Sequence, residues 1–386
     1  MIYFDQAASS YPKPQIVQEK MMNALANYSA NPGRGEHRLA NQAASTIYQT
    51  RLKAAELFGC HDPNTCLFYQ NATVAINQAL KGIQWKKGDH IVTTGVEHNA
   101  VRRSLEYLKE KHGVHVSYVS YDGDDDVMVE QVKKEITKKT KLLAISHASN
   151  VTGDVLPLKE LTTVAKEHDL ITFVDGSQTI GHIPVHMEED NIDMLAFPGH
   201  KSLLGPQGVG MLLLNTDYLL EPIHHGGTGG DSLTTNQPEQ MPERLESGTL
   251  NTPGIAGLLG AFKYYEQRKE EIVPRETLLT NKLINGLQSI KGVNIYQLNT
   301  TTDDQLPIIS FNVFDIMSQE VAAILDNHYD IAVRAGVHCS PLIHEHFATT
   351  SQGMVRASFN MYNTEEEIDT FIRAIKEIAQ SYEMIR

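Results

Sequence analysis

Between residues 66 and 215, short apolar runs alternate with segments whose apolar residues recur at helical spacing. The runs that predict strands are DHIVTTG, KLLAISH, LITFVDG, NIDMLAFPG and GVGMLLLN. The segments that predict helices are NAVRRSLEYLKEKHG and LKELTTVAKEHD. Because strands that alternate with helices favour a largely parallel sheet with helices on both faces, this region predicts an α/β domain.

The pattern changes after Gly254. GIAGLLGAFKYYEQRKEEI predicts a long helix that breaks near Pro274, and three later runs, LPIISFNVF, HYDIAVRAG and GMVRASFNMYN, predict strands. A final helix follows NTEEE, where Thr364 and Glu367 have the spacing of a capping box. This order of elements predicts a smaller α+β domain.

The two patterns divide the chain into two domains. We assign the large α/β domain to residues 15–257, and the small domain to residues 258–386 together with residues 1–14. A chain of 386 residues is long enough for two domains with a core each. The first dozen residues are extended and rich in proline, so they could pack against either domain.

The composition narrows the range of partners. The formal net charge is −14, whereas nucleic acids and anionic membrane surfaces favour basic patches. The amino terminus lacks a basic start followed by an apolar core, and the apolar runs are too short to span a bilayer. Three cysteines without paired spacing are typical of a reducing compartment. We therefore expect a cytoplasmic protein with no nucleic-acid or membrane partner.

Polar side chains follow four of the predicted strands at the point where each strand ends. In open parallel sheets, ligands bind beyond the carboxyl ends of the strands. Each of these residues alone is more often structural, but together they predict a ligand site at one edge of the sheet. They are Glu97 and His98, Asn150, Asp175 and Gln178, and His200 and Lys201.

A further segment fits the same edge, because small polar residues at a helix start leave N–H groups free for an anion such as phosphate. Asn71, Ala72 and Thr73 occupy such a start, although an ordinary helix cap would also explain them. Pyridoxal phosphate needs a phosphate site, a lysine for its Schiff base, a carboxylate for its ring nitrogen and a flat partner for its ring. The residues suited to the last three roles are Lys201, Asp175 and His98.

The stretch VRAGVHCSPLIHEH, residues 333–346, holds one of the cysteines, and three interpretations of Cys339 are open. It could be a buried small hydrophobic residue. It could be a metal ligand with nearby histidines, although closed metal sites have tighter paired spacings. It could be a nucleophile, in which case a neighbouring histidine or arginine must favour the thiolate. The metal hypothesis involves His338, His344 and His346, and the nucleophile hypothesis involves His338 and Arg334.

A series of motifs runs in order through nearly the whole chain: QNATVAIN, GVEHNAV, HASNVTG, VDGSQTIGH, FPGHKSLLGPQGVG, LESGTLNTPGI, RAGVHCSP and VRASFNMYNTEEEID. As a set they resemble the cysteine desulfurases, class V pyridoxal-phosphate enzymes with the aspartate-aminotransferase fold (fold type I). The resemblance implies conversion of L-cysteine to L-alanine, with sulfur passing to Cys339 as a persulfide. The alternative is a selenocysteine lyase, with L-selenocysteine as substrate, or another class V aminotransferase or lyase.

The resemblance implies a role for each motif position. Lys201 is the Schiff-base lysine, and His98 stacks on the cofactor ring and is a candidate proton shuttle. The other cofactor contacts that it implies are Ala72, Thr73, Asn150, Asp175, Gln178, His200 and Thr249. The substrate contacts that it implies are Asn150 and Arg356 for the carboxylate, with Arg334 beside them.

The resemblance also implies partners. Thr249 matches a phosphate contact donated by a neighbouring subunit, which implies a homodimer. Cys339 lies 17 residues before Arg356, as in the short-loop subgroup whose members pass sulfur to a dedicated acceptor protein, for example in iron–sulfur cluster biogenesis. The chain departs from the motifs at Pro198, where relatives often have Ser or Thr, and at Ser340, where relatives often have Ala. The first change removes a hydroxyl and an N–H from the phosphate site, and the second is small.

Overall fold

The computed structural model describes residues 1–33, 35, 37–229, 233–299 and 305–385. Its strands are β1 (Ile2–Tyr3), β2 (Cys66–Tyr69), β3 (His90–Thr94), β4 (His115–Val119), β5 (Thr140–Ser146), β6 (Ile171–Asp175), β7 (Met194–Pro198), β8 (Gly210–Leu214), β9 (Val293–Tyr296), β10 (Ile308–Val313), β11 (Ile331–Ala332), β12 (Arg334–Gly336) and β13 (Met354–Ser358). Its helices are α1 (Gln15–Asn27), α2 (Arg38–Phe58), α3 (Ala72–Lys81), α4 (Asn99–His112), α5 (Asp125–Glu135), α6 (Leu158–Glu167), α7 (Thr252–Gln288), α8 (Ser318–Tyr329), α9 (Pro341–His346) and α10 (Glu365–Ile385).

The large sheet has seven strands in the order β2-β8-β7-β6-β5-β3-β4. Strand β8 runs antiparallel to both of its neighbours, and the strands from β7 to β4 are parallel. The prediction of a largely parallel sheet is therefore confirmed. The sequence pattern did not predict β4 and α5, because β4 is an edge strand with only Val119 fully buried, and its apolar signal is weak.

The small sheet has four strands in the order β12-β13-β10-β9. Helices α8 and α10 pack against it around a separate apolar core that includes Phe311, Val321 and Phe371. The capping box before α10 is confirmed, since the Glu367 N–H donates to Thr364 Oγ1 at 3.2 Å and the Thr364 N–H donates to Glu367 Oε2 at 3.0 Å. An α+β arrangement thus follows the α/β one, as the sequence predicts.

Helix α7 continues without interruption through Pro274, so the predicted break is wrong. Proline removes one N–H from the helix ladder, at a cost of about 3 kcal/mol. The apolar residues on both sides of it are buried: Ile272 belongs to the core of the large sheet and Leu279 to the core of the small one. Burial at both ends offsets the missing hydrogen bond. The domain boundary at residue 257 stays a prediction. Along α7, Ile272 still packs in the core of the large sheet, and Leu279 packs in the core of the small sheet.

The amino-terminal segment contacts both sheets. Strand β1 pairs in parallel with β11, and Asp5 forms an isolated bridge with Ser358 of the small sheet. Ser10 then donates its backbone N–H to the carbonyl of His200, at 3.0 Å, beyond the end of β7. In the part of the chain that the structure describes, none of the helices has the length and apolar content needed to cross a membrane.

Candidate active site

A cavity of about 230 Å³ lies beyond the carboxyl ends of the parallel strands, between the large and the small sheet. It brings together nearly all of the predicted site residues. Those that line it are Ala72, Thr73, His98, Asn150, Asp175, Gln178, His200, Lys201, Arg334 and Arg356. Thr249 and Cys339 do not line this cavity. The ten residues that line it were predicted from the edge of the sheet and from the motifs, and their roles stay predictions.

Lys201 and Asp175 line the same cavity from neighbouring strand ends. Asp175 is the last residue of β6, and its Oδ1 accepts the Ser177 N–H at 2.9 Å. Lys201 follows β7, and burial lowers the pKa of its amine to about 8, against the opposing attraction of Asp175. A lysine with this pKa is deprotonated far more often at neutral pH than a solvated one, which suits it to attack a carbonyl.

The start of α3 forms one end of the cavity. Asn71 caps the helix, since its Oδ1 accepts the Val74 N–H at 3.0 Å. The N–H groups of Ala72 and Thr73 belong to the first turn and have no partner within the helix. Strand β8 approaches so closely that a Cβ on Gly210 would lie 2.5 Å from the Asn71 carbonyl carbon.

His200 adds a second feature to this end. Burial lowers the pKa of its imidazole to about 4, and its buried Nδ1 has no hydrogen-bond partner among the described residues. A buried nitrogen without a partner costs free energy unless a ligand meets it. Free backbone N–H groups and this imidazole together are suited to an anionic group such as phosphate.

His98 caps α4 and faces the cavity. Its Nδ1 accepts the Ala100 N–H at 3.0 Å, so in the neutral ring the proton is on Nε2. Burial, helped by the nearby Lys201 charge, lowers the pKa of His98 to about 4. The ring is therefore neutral at pH 7, with an N–H to donate.

Glu97 lies behind the cavity wall and is fully buried. Its Oε1 accepts the Thr94 hydroxyl at 2.6 Å and the Ser146 N–H at 2.8 Å, and its Oε2 accepts the Ser146 hydroxyl at 2.7 Å. Burial raises the pKa of Glu97 to about 7. The side chain ties the end of β3 to the end of β5 and so fixes the backbone that carries His98.

Arg356 is buried to 1% exposure in the cavity wall. Its Nη1 donates to the Asn150 carbonyl at 2.7 Å, and its Nη2 donates to Asp5 Oδ1 at 3.0 Å. Its buried Nε has no partner in the described parts of the chain. Burial lowers the pKa of Arg356 to about 10, so the guanidinium remains cationic at neutral pH. The sequence does not predict a role for Asp5, because nothing in the local pattern shows that it pairs with a residue near the other end of the chain.

Cys339 lies on a loop beside the cavity and opens into an adjacent groove. The groove is lined by Asn99, Arg102, Arg103, Glu106, Arg334, Ala335, Val337, His338, Cys339 and Pro341. The Sγ of Cys339 lies 4.0 Å from Arg334 Nη2. His338 does not supply a positive charge, because burial lowers its pKa to about 2 and its Nε2 donates to the Met354 carbonyl at 2.9 Å. Of the neighbours predicted to favour a thiolate, Arg334 is the one in place.

The other two interpretations of Cys339 find little in the structure. The side chain is partly exposed, unlike that of a buried hydrophobic residue. Across the described residues, no group of three or more His, Cys, Asp or Glu side chains could hold a metal ion. His344 is turned inward, with its Nδ1 2.9 Å from Thr349 Oγ1.

Thr249 lies in a different part of the molecule. It lines a second cavity, of about 400 Å³, together with Ser247 and Leu250. The chain therefore does not bring Thr249 to its own Lys201.

The chain was compared with known proteins. The Aminotransferase class-V family profile matches residues 2–371. A probable cysteine desulfurase of Pyrococcus abyssi is 33% identical over 99% of this chain and 95% of its own length. A cysteine desulfurase of Escherichia coli O139:H28 is 31% identical over 98% of this chain and 93% of its own length. The solved structure of the apo cysteine desulfurase from Thermococcus onnurineus NA1 has a TM-score of 0.90, with 32% identity, and covers 98% of this chain and 95% of that one.

Proposed function

We propose, because this chain belongs to the aminotransferase class-V family and within it to the cysteine desulfurases, that it converts L-cysteine to L-alanine and takes the sulfur onto Cys339. The observation that carries the proposal is the placement of two nucleophiles. The Lys201 amine lines the cavity with a pKa lowered to about 8, and the Cys339 thiol lies beside the cavity next to an arginine.

The cavity fits pyridoxal phosphate by the chemistry of its walls. The end of the cavity that is suited to an anion has the free N–H groups of Ala72 and Thr73 and the unpartnered Nδ1 of His200. Its other end has the carboxylate of Asp175, and the amine of Lys201 is available for a covalent link to the aldehyde. The cofactor, when bound, supplies an electron sink that weakens the bond between the side-chain carbon and the sulfur of the substrate.

The residues around Lys201 have defined tasks in this proposal. Asp175 would pair with the ring nitrogen of the cofactor and keep it protonated, Gln178 would meet the ring hydroxyl, and the flat face of His98 would stack on the ring. Because His98 is neutral, with its proton on Nε2, it acts as a proton shuttle by first taking up a proton, as the imidazolium, and then giving one back. Glu97 fixes the strand end that carries this histidine.

Arg356 and Asn150 hold the substrate carboxylate. A guanidinium binds a carboxylate strongly, and Arg356 keeps its Nε unpartnered while Asp5 and the Asn150 carbonyl hold its other nitrogens in place. Arg334 adds a second cation between the cavity and Cys339, since it lines both the cavity and the groove. The carboxylate end of the substrate is thereby directed toward the small sheet.

Cys339 accepts the sulfur. Its thiolate attacks the sulfur of the bound L-cysteine, an S–S bond forms, and the bond from that sulfur to the side-chain carbon breaks. The carbon takes up a proton and leaves as L-alanine, while Cys339 remains as a persulfide. Arg334, 4.0 Å from Sγ, stabilises the negative charge on the attacking sulfur.

The persulfide is passed to the thiol of an acceptor protein, as iron–sulfur cluster biogenesis would require. Arg102, Arg103 and Arg334 line the groove and form no ion pair with a carboxylate within the described residues. In a chain with a net charge of −14, such a groove favours an acceptor with an acidic surface.

The protein acts in the cytoplasm as a homodimer in which Thr249 contacts the cofactor phosphate of the partner. An active monomer in sedimentation would contradict this arrangement.

One experiment tests the function directly. Purified protein loaded with pyridoxal phosphate is given L-cysteine and a reductant, and L-alanine and sulfide are measured. Equal amounts of both products are expected, and a Lys201→Ala variant provides the background. Absence of L-alanine from the wild-type protein with bound cofactor would overturn the proposal.

A further inference from the structure

Ser340 directly precedes helix α9, but its side chain does not cap the helix. A serine at this position usually accepts an N–H from the first turn of its helix. Here no such hydrogen bond forms, and the Ser340 hydroxyl instead donates to Asn150 Oδ1 at 2.5 Å. Ser340 has no exposed surface. Its hydroxyl is therefore committed to a residue of the cavity wall that is distant in sequence.

The second polar atom of the Asn150 side chain is bound to the same loop. Asn150 Nδ2 donates to the His338 carbonyl at 2.7 Å. A carbonyl can only accept, so this contact fixes which end of the amide is nitrogen and leaves the oxygen for Ser340. The amide of Asn150 is thus held by the residues immediately before and after Cys339.

The loop between these two contacts has an unusual backbone. His338 and Cys339 have positive φ angles, 51° and 63°, although neither is glycine. The Cys339 carbonyl accepts the Asn99 N–H at 2.8 Å. Non-glycine residues persist in this conformation only where their surroundings hold them, and the contacts from Asn150 and Asn99 provide that restraint.

We propose that Ser340 is a positioning residue that sets, through the Asn150 amide, both the substrate-carboxylate site and the conformation of the Cys339 loop. The inference rests on the proposed function, because that function assigns the carboxylate to Asn150 and the sulfur to Cys339. Without the hydroxyl, the amide oxygen loses its donor, and the amide is held only by the bond from Asn150 Nδ2 to the His338 carbonyl. The Asn150 side chain is then fixed at one end instead of two, and its restraint on the Cys339 loop is weaker.

The test uses the holoenzyme and L-alanine, the product, which has the carboxylate but no sulfur. Ser340→Ala should weaken L-alanine binding about tenfold, measured by the absorbance change of the cofactor, because one buried hydrogen bond is lost. The same variant should exchange the backbone hydrogens of residues 334–347 about tenfold faster. Ser318→Ala is the matched control, since Ser318 is also fully buried in the small domain and donates to the Gln352 carbonyl at 2.9 Å. Ser318→Ala should lower the melting temperature without changing the affinity for L-alanine or the hydrogen exchange of residues 334–347.

A double-mutant cycle separates positioning from general destabilisation. In an Asn150→Ala background, Ser340→Ala should change L-alanine affinity by less than about twofold, because the partner of the hydroxyl is gone. Full additivity of the two effects would overturn the inference, as would an unchanged affinity and loop exchange in Ser340→Ala.

The wild-type protein gives an answer even where a variant fails to fold. L-alanine should slow hydrogen exchange of residues 334–347, since it binds the residue that restrains this loop, and no change on binding would also overturn the inference. These measurements do not depend on sulfur transfer. Protein that shows them but makes no L-alanine from L-cysteine would reject the desulfurase function and keep the role of Ser340.

Discussion

The guanidinium of Arg334 lies 4.0 Å from the sulfur of Cys339, whereas the imidazole of His338, the adjacent residue, faces away and is neutral. The positive charge beside the thiol therefore comes from strand β12 and not from the loop that carries the cysteine. An extended strand is a firmer support for a charge than a loop.

Replacing Arg334 should slow reactions of the Cys339 thiol. In Arg334→Gln, the rate of alkylation of Cys339 by iodoacetamide at pH 7 should fall about fivefold, because the charge that stabilises the thiolate is lost. Arg103→Gln is the control, since it removes an exposed arginine of the same groove. Equal rates in wild type and Arg334→Gln would show that the thiolate does not depend on this arginine.

Replacing Cys339 should separate cofactor binding from sulfur transfer. Cys339→Ala should still bind pyridoxal phosphate and respond spectrally to L-cysteine, because Lys201 and Arg356 are intact. L-alanine production should fall by orders of magnitude, as expected when a covalent nucleophile is removed. A metal ligand would instead lose a bound metal, and a packing residue would cost only stability. L-alanine formation by Cys339→Ala at the wild-type rate would exclude the role given to this residue.

Capture of the cofactor should depend on pH through Lys201. The pKa of its amine is lowered to about 8, so the nucleophilic, uncharged form becomes abundant as the pH rises through 8. The rate at which cofactor-free protein takes up pyridoxal phosphate should therefore increase with a midpoint near pH 8, against about 10.4 for a solvated lysine. After borohydride reduction the adduct should map to Lys201. Burial also lowers the pKa of Lys13 to about 8, and an adduct there would contradict the assignment.

Glu97 should make stability fall as the pH rises. Its pKa is raised from 4.5 to about 7, so the folded state favours the protonated form, and this contribution is lost between about pH 4.5 and 7. Relative to wild type, the free energy of unfolding of Glu97→Gln should rise across that window, by about 1.4 kcal/mol per unit of pKa shift. Glu160→Gln, at an exposed helical position, is the control for the substitution itself. Urea titrations at several pH values measure the free energy of unfolding of each protein. Parallel pH profiles for wild type and Glu97→Gln would refute the raised pKa.

Restoring a hydroxyl at position 198 should tighten cofactor binding. Pro198 ends β7 and lines the cavity without offering a hydroxyl or an N–H. Pro198→Ser should strengthen the binding free energy of pyridoxal phosphate by about 1.5–3 kcal/mol if the new hydrogen bond is fully formed, and so lower its dissociation constant. Equilibrium dialysis of the two proteins is the measurement. An unchanged constant would mean that another group, such as the neighbouring Ser177, already meets the phosphate.

The sheet edge could be predicted because each strand end has its own local signal. Asp175, His98 and Lys201 each follow an apolar run, and parallel strands bring such ends together. The contacts between distant segments had no signal of this kind. The pairing of Asp5 with Arg356, and of Ser340 with Asn150, depends on how the small sheet is placed against the large one. The continuity of α7 through Pro274 likewise depends on tertiary packing, which overrides local propensity.

The bond between Asp5 and Arg356 joins segments 351 residues apart, and among the described strands β1 pairs only with β11. On the ribosome, β1 therefore emerges early but has no partner strand until nearly the whole polypeptide has been made. The large sheet can form in the meantime, because its strands end at Leu214. We expect the nascent enzyme to remain inactive, with its first strand accessible to chaperones, until the last part of the chain is released. Only then can β1 pair with β11 and Asp5 bind Arg356.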